Sequence, residues 1–316
     1  MVIDASKSIV QESITKYIDP LTLETFHIAD LGCSTGPNTF TAVDTILQSV
    51  KSKYLNTTNK PPEFQVHFLF KSLPPNREYH VSGVPGSFYT RLFPRGSLHV
   101  AHSSYSLHWL PQVPTAITDP NSTAYNKGRV HYAFAGDEVA DAYTRQHAIE
   151  FSRFLEARAQ EMVPQGLVML IIAARPNGVP HSQSSMNMTF DILGSCLVDL
   201  AKKGLIEEEK VDGFNLPMYF ASPHEFEQVI KQNGRFSIER MESLPIKASD
   251  YELISPQALS LIIRAVTEEL IRKQFGHEIL DQVFDLFTQK CIRAMESNDY
   301  VIGSTLDLFI LLKLCT

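Results

Sequence analysis

Short alternating or wholly apolar runs, separated by stretches of helical period, organise the first half of this chain. Residues 26–31, Phe-His-Ile-Ala-Asp-Leu, read as a short strand that ends at a glycine turn. A helix follows over 39–54, with Phe40, Val43, Ile46, Leu47 and Val50 on one stripe. Residues 63–70 and 97–102 alternate as strands do. A long helical pattern covers 138–163, and the apolar run 167–174 reads as a strand covered on both faces. The second half differs in kind. Helical patterns fill 188–203, 223–233, 256–275 and 278–297, with strand candidates at 236–241 and 306–312.

Alternating strands and helices imply an α/β fold, a mostly parallel sheet with helices on each side. The helix-rich second half then reads as insertions into a sheet domain. We assign 1–175, completed by 235–246 and 301–316, to the core, and 176–234 with 247–300 to an α-helical cap. Such a cap would roof the carboxyl ends of the strands, where open α/β sheets bind ligands.

Composition narrows the function classes. An apolar content of 44% and a charged content of 20% suit an ordinary globular chain and exclude global disorder. The 28 Lys and Arg against 35 Asp and Glu give a net charge of -7 with no basic run. A nucleic-acid or acidic-membrane partner therefore has no electrostatic footprint. Cys33, Cys196, Cys291 and Cys315 form no C-x-x-C pair and read as reduced thiols. The chain opens Met1-Val2-Ile3-Asp4 without a signal-peptide pattern, and no apolar run is long enough for a bilayer. The expectation is a soluble, cytoplasmic protein.

The most informative local segment is Ala29-Asp30-Leu31-Gly32-Cys33-Ser34-Thr35-Gly36-Pro37-Asn38. A strand runs into an acid, a glycine turn and a helix opened by proline, the form of a first βα crevice. Its glycines are four apart, so it is not the dinucleotide G-x-G-x-x-G. The acid at the strand end suits a cationic ligand such as S-adenosylmethionine. The same residues spell G-x-S-x-G, a hydrolase nucleophile elbow with Ser34 as nucleophile. Only 33 residues precede Ser34, and no H-G-G-G-type loop occurs, which argues against that reading.

Further segments are more specific. Ser72-Leu73-Pro74-Pro75-Asn76 leads to Gly83-Val84-Pro85-Gly86-Ser87-Phe88-Tyr89 and Arg91-Leu92-Phe93-Pro94. Ser103-Ser104-Tyr105-Ser106-Leu107-His108-Trp109-Leu110, Asn126-Lys127-Gly128 and Phe214-Asn215-Leu216-Pro217 follow. Together with the glycine turn, these resemble the SABATH family of plant methyltransferases across nearly the whole chain from about Ile28. Its members methylate carboxyl groups of small acids or ring nitrogens of xanthines.

The resemblance implies a Rossmann-like class I methyltransferase sheet under an α-helical cap, usually as a homodimer. It carries Asp30, Cys33 and Asn38 over as lining for the methionine part of S-adenosylmethionine. Ser87 and Phe88 would lie beside the adenine, and Ser104 near the reactive end. Tyr105, His108 and Trp109 would face the acceptor. His108 also leans away from salicylate, because salicylate-preferring relatives tend to carry methionine there. A magnesium site maps to Asn126, Asp212, Phe214 through its carbonyl, and Asn215. Those are hard oxygen donors with one formal charge, which suits a supporting ion. On local sequence alone, the Tyr105, His108, Trp109 cluster reads as packing and Asp212 as a loop acid. His27, His67, His99, His102, His131 and His224 have no ligand spacing.

Two departures stand out. The family's opening segment, with Ser-Tyr, Asn and Gln residues that contact cofactor and substrate, does not precede the first strand. The Asn-Asp-rich stretch after the second strand, with its ribose-binding acid, is also missing between Phe68 and Pro74. We favour a longer natural chain lacking these flexible segments here over a truncated variant. The leading expectation is carboxyl methylation of a small acid. The alternatives are N-methylation of a purine-like ring and a non-catalytic small-molecule-binding protein.

Overall fold

In a computed structural model, residues 2–19, 23–32, 38–58, 60–67, 78–245, 254–297 and 305–315 are described. Seven strands form one sheet: β1 Thr25–Asp30, β2 Glu63–His67, β3 His80–Ser82, β4 Leu98–Ser104, β5 Met162–Ala174, β6 Phe236–Ser243 and β7 Leu306–Leu314. Their spatial order is β3-β2-β1-β4-β5-β7-β6. All pairings from β3 to β5 are parallel, and β7 runs antiparallel to both neighbours. The order reverses between β1 and β4, so the crevice at their carboxyl ends is the topological switch point.

The apolar run expected at 167–174 is the centre of this sheet, buried throughout between β4 and β7. The strand begins five residues earlier than its apolar run, at Met162, which pairs with Leu98. A bulge lies between the two segments, and Gln165 takes a left-handed φ of 66°. Pro164-Gln165-Gly166 therefore reads as a turn in sequence although the chain is already in the sheet.

Side chains alternate across the sheet and feed two cores. One face sets Ala29, Ala101, Leu170 and Ile310 against α3 (Asp137–Glu161) and α6 (Pro223–Asn233). The other sets Ile28, Val100, Met169 and Phe309 against α1 (Val2–Tyr17) and α2 (Asn38–Thr58). The α1 helix was not anticipated. Its buried residues Ile3, Ile9, Val10 and Ile14 are β-branched and interspersed with serine, a composition of modest helix propensity that tertiary packing overrides. The three-residue β3 was likewise too short to show a period.

A third core binds the remaining helices: α4 (Ser185–Lys202), the short α5 (Glu208–Asp212), α7 (Pro256–Phe275) and α8 (Leu280–Glu296). Phe190, Leu193, Leu197, Ile271, Phe284 and Phe287 fill it. The segment between α5 and α6 leaves this helical layer and runs beside β4's exit. Leu110 N–H donates to the Pro217 carbonyl at 2.7 Å, and Trp109 forms an isolated bridge with Met218. Helical layer and sheet thus meet at the carboxyl edge.

Candidate active site

Adjacent strands β1 and β4 place Asp30 opposite His102 in register. Both side chains are buried, and the His102 imidazole Nδ1 lies 2.7 Å from an Asp30 carboxylate oxygen. Sequence reasoning found Asp30 but left His102 without a role, because its partner is 72 residues away. Gly32 follows with φ of +78°, a left-handed backbone that favours glycine. A Cβ there would collide with the Ser106 side chain and come within 3.1 Å of the Phe88 ring. Ser106 Oγ lies 2.9 Å from the Gly32 carbonyl and 3.1 Å from that of Ser104. The exits of β1 and β4 are therefore stitched together through Ser106, which packs where a side chain at residue 32 would stand. Cys33 and the turn to Pro37 lie outside the described residues, as does the Asn38 side chain.

The Ser87–Phe88 segment is held from below by a buried ion pair that the sequence did not signal. Arg158 and Glu161 on α3 are both fully buried. Arg158 Nε donates to Glu161 at 2.7 Å, while its terminal nitrogens donate to the carbonyls of Phe88 at 2.9 Å and Thr90 at 3.1 Å. Glu161 accepts the backbone N–H groups of Leu92 and Phe93. Every arm of the pair is thus spent on one irregular loop, which satisfies backbone groups that no strand or helix could serve. Tyr89 from the same loop donates its hydroxyl to the Trp109 carbonyl at 2.6 Å. Ser87 remains exposed and Phe88 half-buried, facing Gly32.

Beyond Ser104, Tyr105 takes φ of 54°, unusual for a non-glycine residue. Its N–H donates to the Ile171 carbonyl at 2.8 Å, and its hydroxyl donates to Asp307 of β7. The Tyr105 ring stands edge-on to His108, with centroids 6.2 Å apart. His108 in turn stacks on Phe220 at 5.3 Å and tilts against Trp109 at 5.8 Å. The three residues expected to face an acceptor therefore form one aromatic cluster. His108 is buried, and its Nδ1 has no hydrogen-bond partner among the described residues. Burial lowers its pKa to about 4, so the imidazole is neutral near pH 7. A neutral imidazole offers one N–H donor and one acceptor without adding charge.

The four residues mapped to magnesium also converge. Asn126 Nδ2 donates to Asn215 Oδ1 at 2.6 Å, and Asp212 accepts the Gly128 N–H at 2.8 Å and a hydrogen bond from Tyr125. Phe214 presents its ring to Phe275 at 5.2 Å, inside the helical core. Among the described residues, no group of three or more His, Cys, Asp or Glu could hold a metal ion. The cluster holds only oxygen and amide donors, and the Asn215 oxygen is already engaged by Asn126.

Three of the unassigned histidines form a ladder across adjacent strands. His27 stacks between His67 at 5.4 Å and His99 at 6.0 Å. His67 Nδ1 lies 2.5 Å from the Ser82 hydroxyl and Nε2 lies 3.1 Å from His27, so its ring is occupied internally. The stretch 68–77, where the ribose acid was missed, lies outside the described residues. No described helix is long and apolar enough to cross a membrane.

The comparisons agree with this geometry. The family described as SAM dependent carboxyl methyltransferase matches residues 1–313. Loganic acid O-methyltransferase of Catharanthus roseus is 44% identical over 99% of this chain and 88% of its own. Farnesoic acid carboxyl-O-methyltransferase of Arabidopsis thaliana is 39% identical over 90% of this chain and 85% of its own. A solved structure, "Loganic acid methyltransferase with SAH", superposes with a TM-score of 0.94 at 42% identity, over 100% of this chain and 93% of that one. A sheet of methyltransferase order, a left-handed glycine turn at the β1–β4 crevice and whole-chain similarity converge on one assignment. The chain belongs to the S-adenosylmethionine-dependent carboxyl methyltransferases, the SABATH family.

Proposed function

We propose that this enzyme forms the methyl ester of a small, largely apolar carboxylic acid, with Tyr105, His108 and Trp109 as one wall of the acceptor site. The observation that carries the reading is His108: buried, neutral, and with a ring nitrogen that no group among the described residues satisfies. Such an atom costs stability unless something binds it, and a carboxylate oxygen beside it would receive an N–H.

S-adenosylmethionine, when bound, supplies an electrophilic methyl group and departs as a neutral thioether. The carboxylate of Asp30 at the end of β1 suits its positive charge. An acceptor carboxyl with a pKa of about 4 is ionised at neutral pH, so no general base is required. The protein's task is to hold oxygen, methyl and sulfur in line and to exclude water. Cys33, Asn38, Ser87, Phe88 and Ser104 are assigned to the cofactor side, and the helical layer of α4, α5, α7 and α8 to the roof, whereas α6 packs on the sheet. His108 orients the acceptor; with its pKa held near 4, it is poorly matched to take a proton at pH 7.

Magnesium fits Asn126, Asp212, Asn215 and the Phe214 carbonyl only as a weakly held, supporting ion, given one formal charge among them. A homodimer in the cytoplasm, without nucleic-acid or membrane partners, completes the reading. Isothermal calorimetry with S-adenosylhomocysteine tests the cofactor half: we expect binding, and neither heat nor thermal stabilisation with either cofactor form would sink it.

A further inference from the structure

Tyr105 and Asp307 are 202 residues apart, yet the sheet brings them to one point. Asp307 is the second residue of β7 and pairs with Ala173 near the end of β5. Because β7 is antiparallel, its first residues lie at the same carboxyl edge from which β4 releases Tyr105. Asp307 is 5% exposed, whereas Tyr105 is 37% exposed. Burial raises the Asp307 carboxyl to about 6, still ionised at pH 7. No lysine or arginine is paired with it among the described residues; its recorded side-chain partner is the Tyr105 hydroxyl.

We propose that Asp307 is a positioning residue for methyl transfer, fixing the Tyr105 ring against the acceptor by accepting its hydroxyl proton in a charge-assisted hydrogen bond. This rests on Tyr105 belonging to the acceptor wall. Three backbone ties already hold the turn: Tyr105 N–H to Ile171, Trp109 N–H to Ser106, and Ser106 Oγ to Gly32. None of them sets the direction of the Tyr105 side chain. The left-handed backbone at Tyr105 points that side chain away from the path an extended strand would give it, and Asp307 meets it there. With its proton committed to Asp307, the phenol cannot donate to the acceptor carboxylate. It contributes its ring face and edge, and donation is left to His108. Asp307 thus ties the last strand of the sheet to the geometry of the reacting groups.

The test is a cycle of Tyr105→Phe, Asp307→Leu, their double variant, and Asp307→Asn, assayed with an accepted acid at saturating S-adenosylmethionine. Each single variant that breaks the bond should lower kcat by about tenfold, the scale of a charge-assisted hydrogen bond. The double variant should be no worse than the poorer single, because one interaction is being removed twice. Asp307→Asn, which keeps an accepting oxygen, should retain kcat within about threefold. Affinity for S-adenosylhomocysteine should stay within about twofold throughout. An unchanged kcat in Asp307→Leu, multiplying losses in the double variant, or a parallel loss of cofactor affinity would overturn the proposal. Should Asp307→Leu not fold, Tyr105→Phe and Asp307→Asn decide by the same readouts. If the wild type methylates no acid, the acceptor reading fails separately. The cycle is then read on thermal unfolding, where a lack of coupling overturns the Tyr105–Asp307 link.

Discussion

Two loop clamps flank the crevice, and they are built from opposite chemistry. Beside Gly32, one fully buried ion pair, Arg158 with Glu161, satisfies the backbone of residues 88–93 from a single helix. On the helical-layer side, neutral amides and one half-exposed carboxylate, Asn126, Asn215 and Asp212, join two loops. A buried charge pair is strongly destabilising to break, since either survivor is left uncompensated. Amide contacts and an acid near solvent cost far less. The first clamp is therefore a fixed part of the scaffold, and the second can be adjusted without unfolding the protein.

The largest effect that would sharpen this contrast is on Arg158. Arg158→Met should destabilise the fold by about 3–5 kcal/mol in denaturant unfolding and abolish measurable cofactor binding. A loss below about 1 kcal/mol would erase the distinction between the clamps.

Acid should act through the neutral histidines buried in the cores. Burial lowers His108 and His147 to about 4 and His131 to about 3. Their folded values lie below the unfolded value of about 6.5, so the unfolded chain binds more protons in that window. Their contribution is fully present above about pH 6.5 and is lost as pH falls through 4. Melting temperatures measured from pH 7.5 to 4 should drop by an amount equivalent to several kcal/mol. A flat profile would mean these imidazoles are not buried.

His108→Ala should lower turnover by about tenfold to a hundredfold through misorientation of the acceptor. The variant should keep the wild-type pH profile, with no limb near pH 6.5 disappearing. A histidine limb present in the wild type and absent in the variant would make His108 a base.

The smallest effect belongs to the second clamp. Magnesium should stimulate activity by a few-fold at most, and Asp212→Asn should remove that stimulation while changing stability by less than about 1 kcal/mol. Complete loss of turnover on chelation, restored by magnesium, would make the ion essential and contradict the supporting role.

The same contrast explains what the sequence revealed. Local features were legible: the Asp30–Gly32 turn, the apolar centre of β5, and α7, whose bounds match its helical period at 256–275. Contacts created by strand order were not. His102 meets Asp30 and Asp307 meets Tyr105 only because the sheet interleaves strands distant in sequence, and Arg158 meets Phe88 only because α3 packs under a loop 70 residues away. The resemblance named Tyr105, His108 and Trp109 by motif, and in the structure their rings are in contact. It did not reveal what holds them. The histidine ladder was invisible for the same reason, since His27, His67 and His99 belong to three separate strands.

The central claim is tested most directly by identifying the methylated product. Incubation with S-adenosylmethionine carrying a deuterated methyl group, across a panel of small carboxylic acids and purine-like rings, would be followed by mass spectrometry. The account predicts label in a base-labile methyl ester of an acid. Label in a base-stable N-methyl product, or cofactor binding with no transfer to any acid, would contradict it.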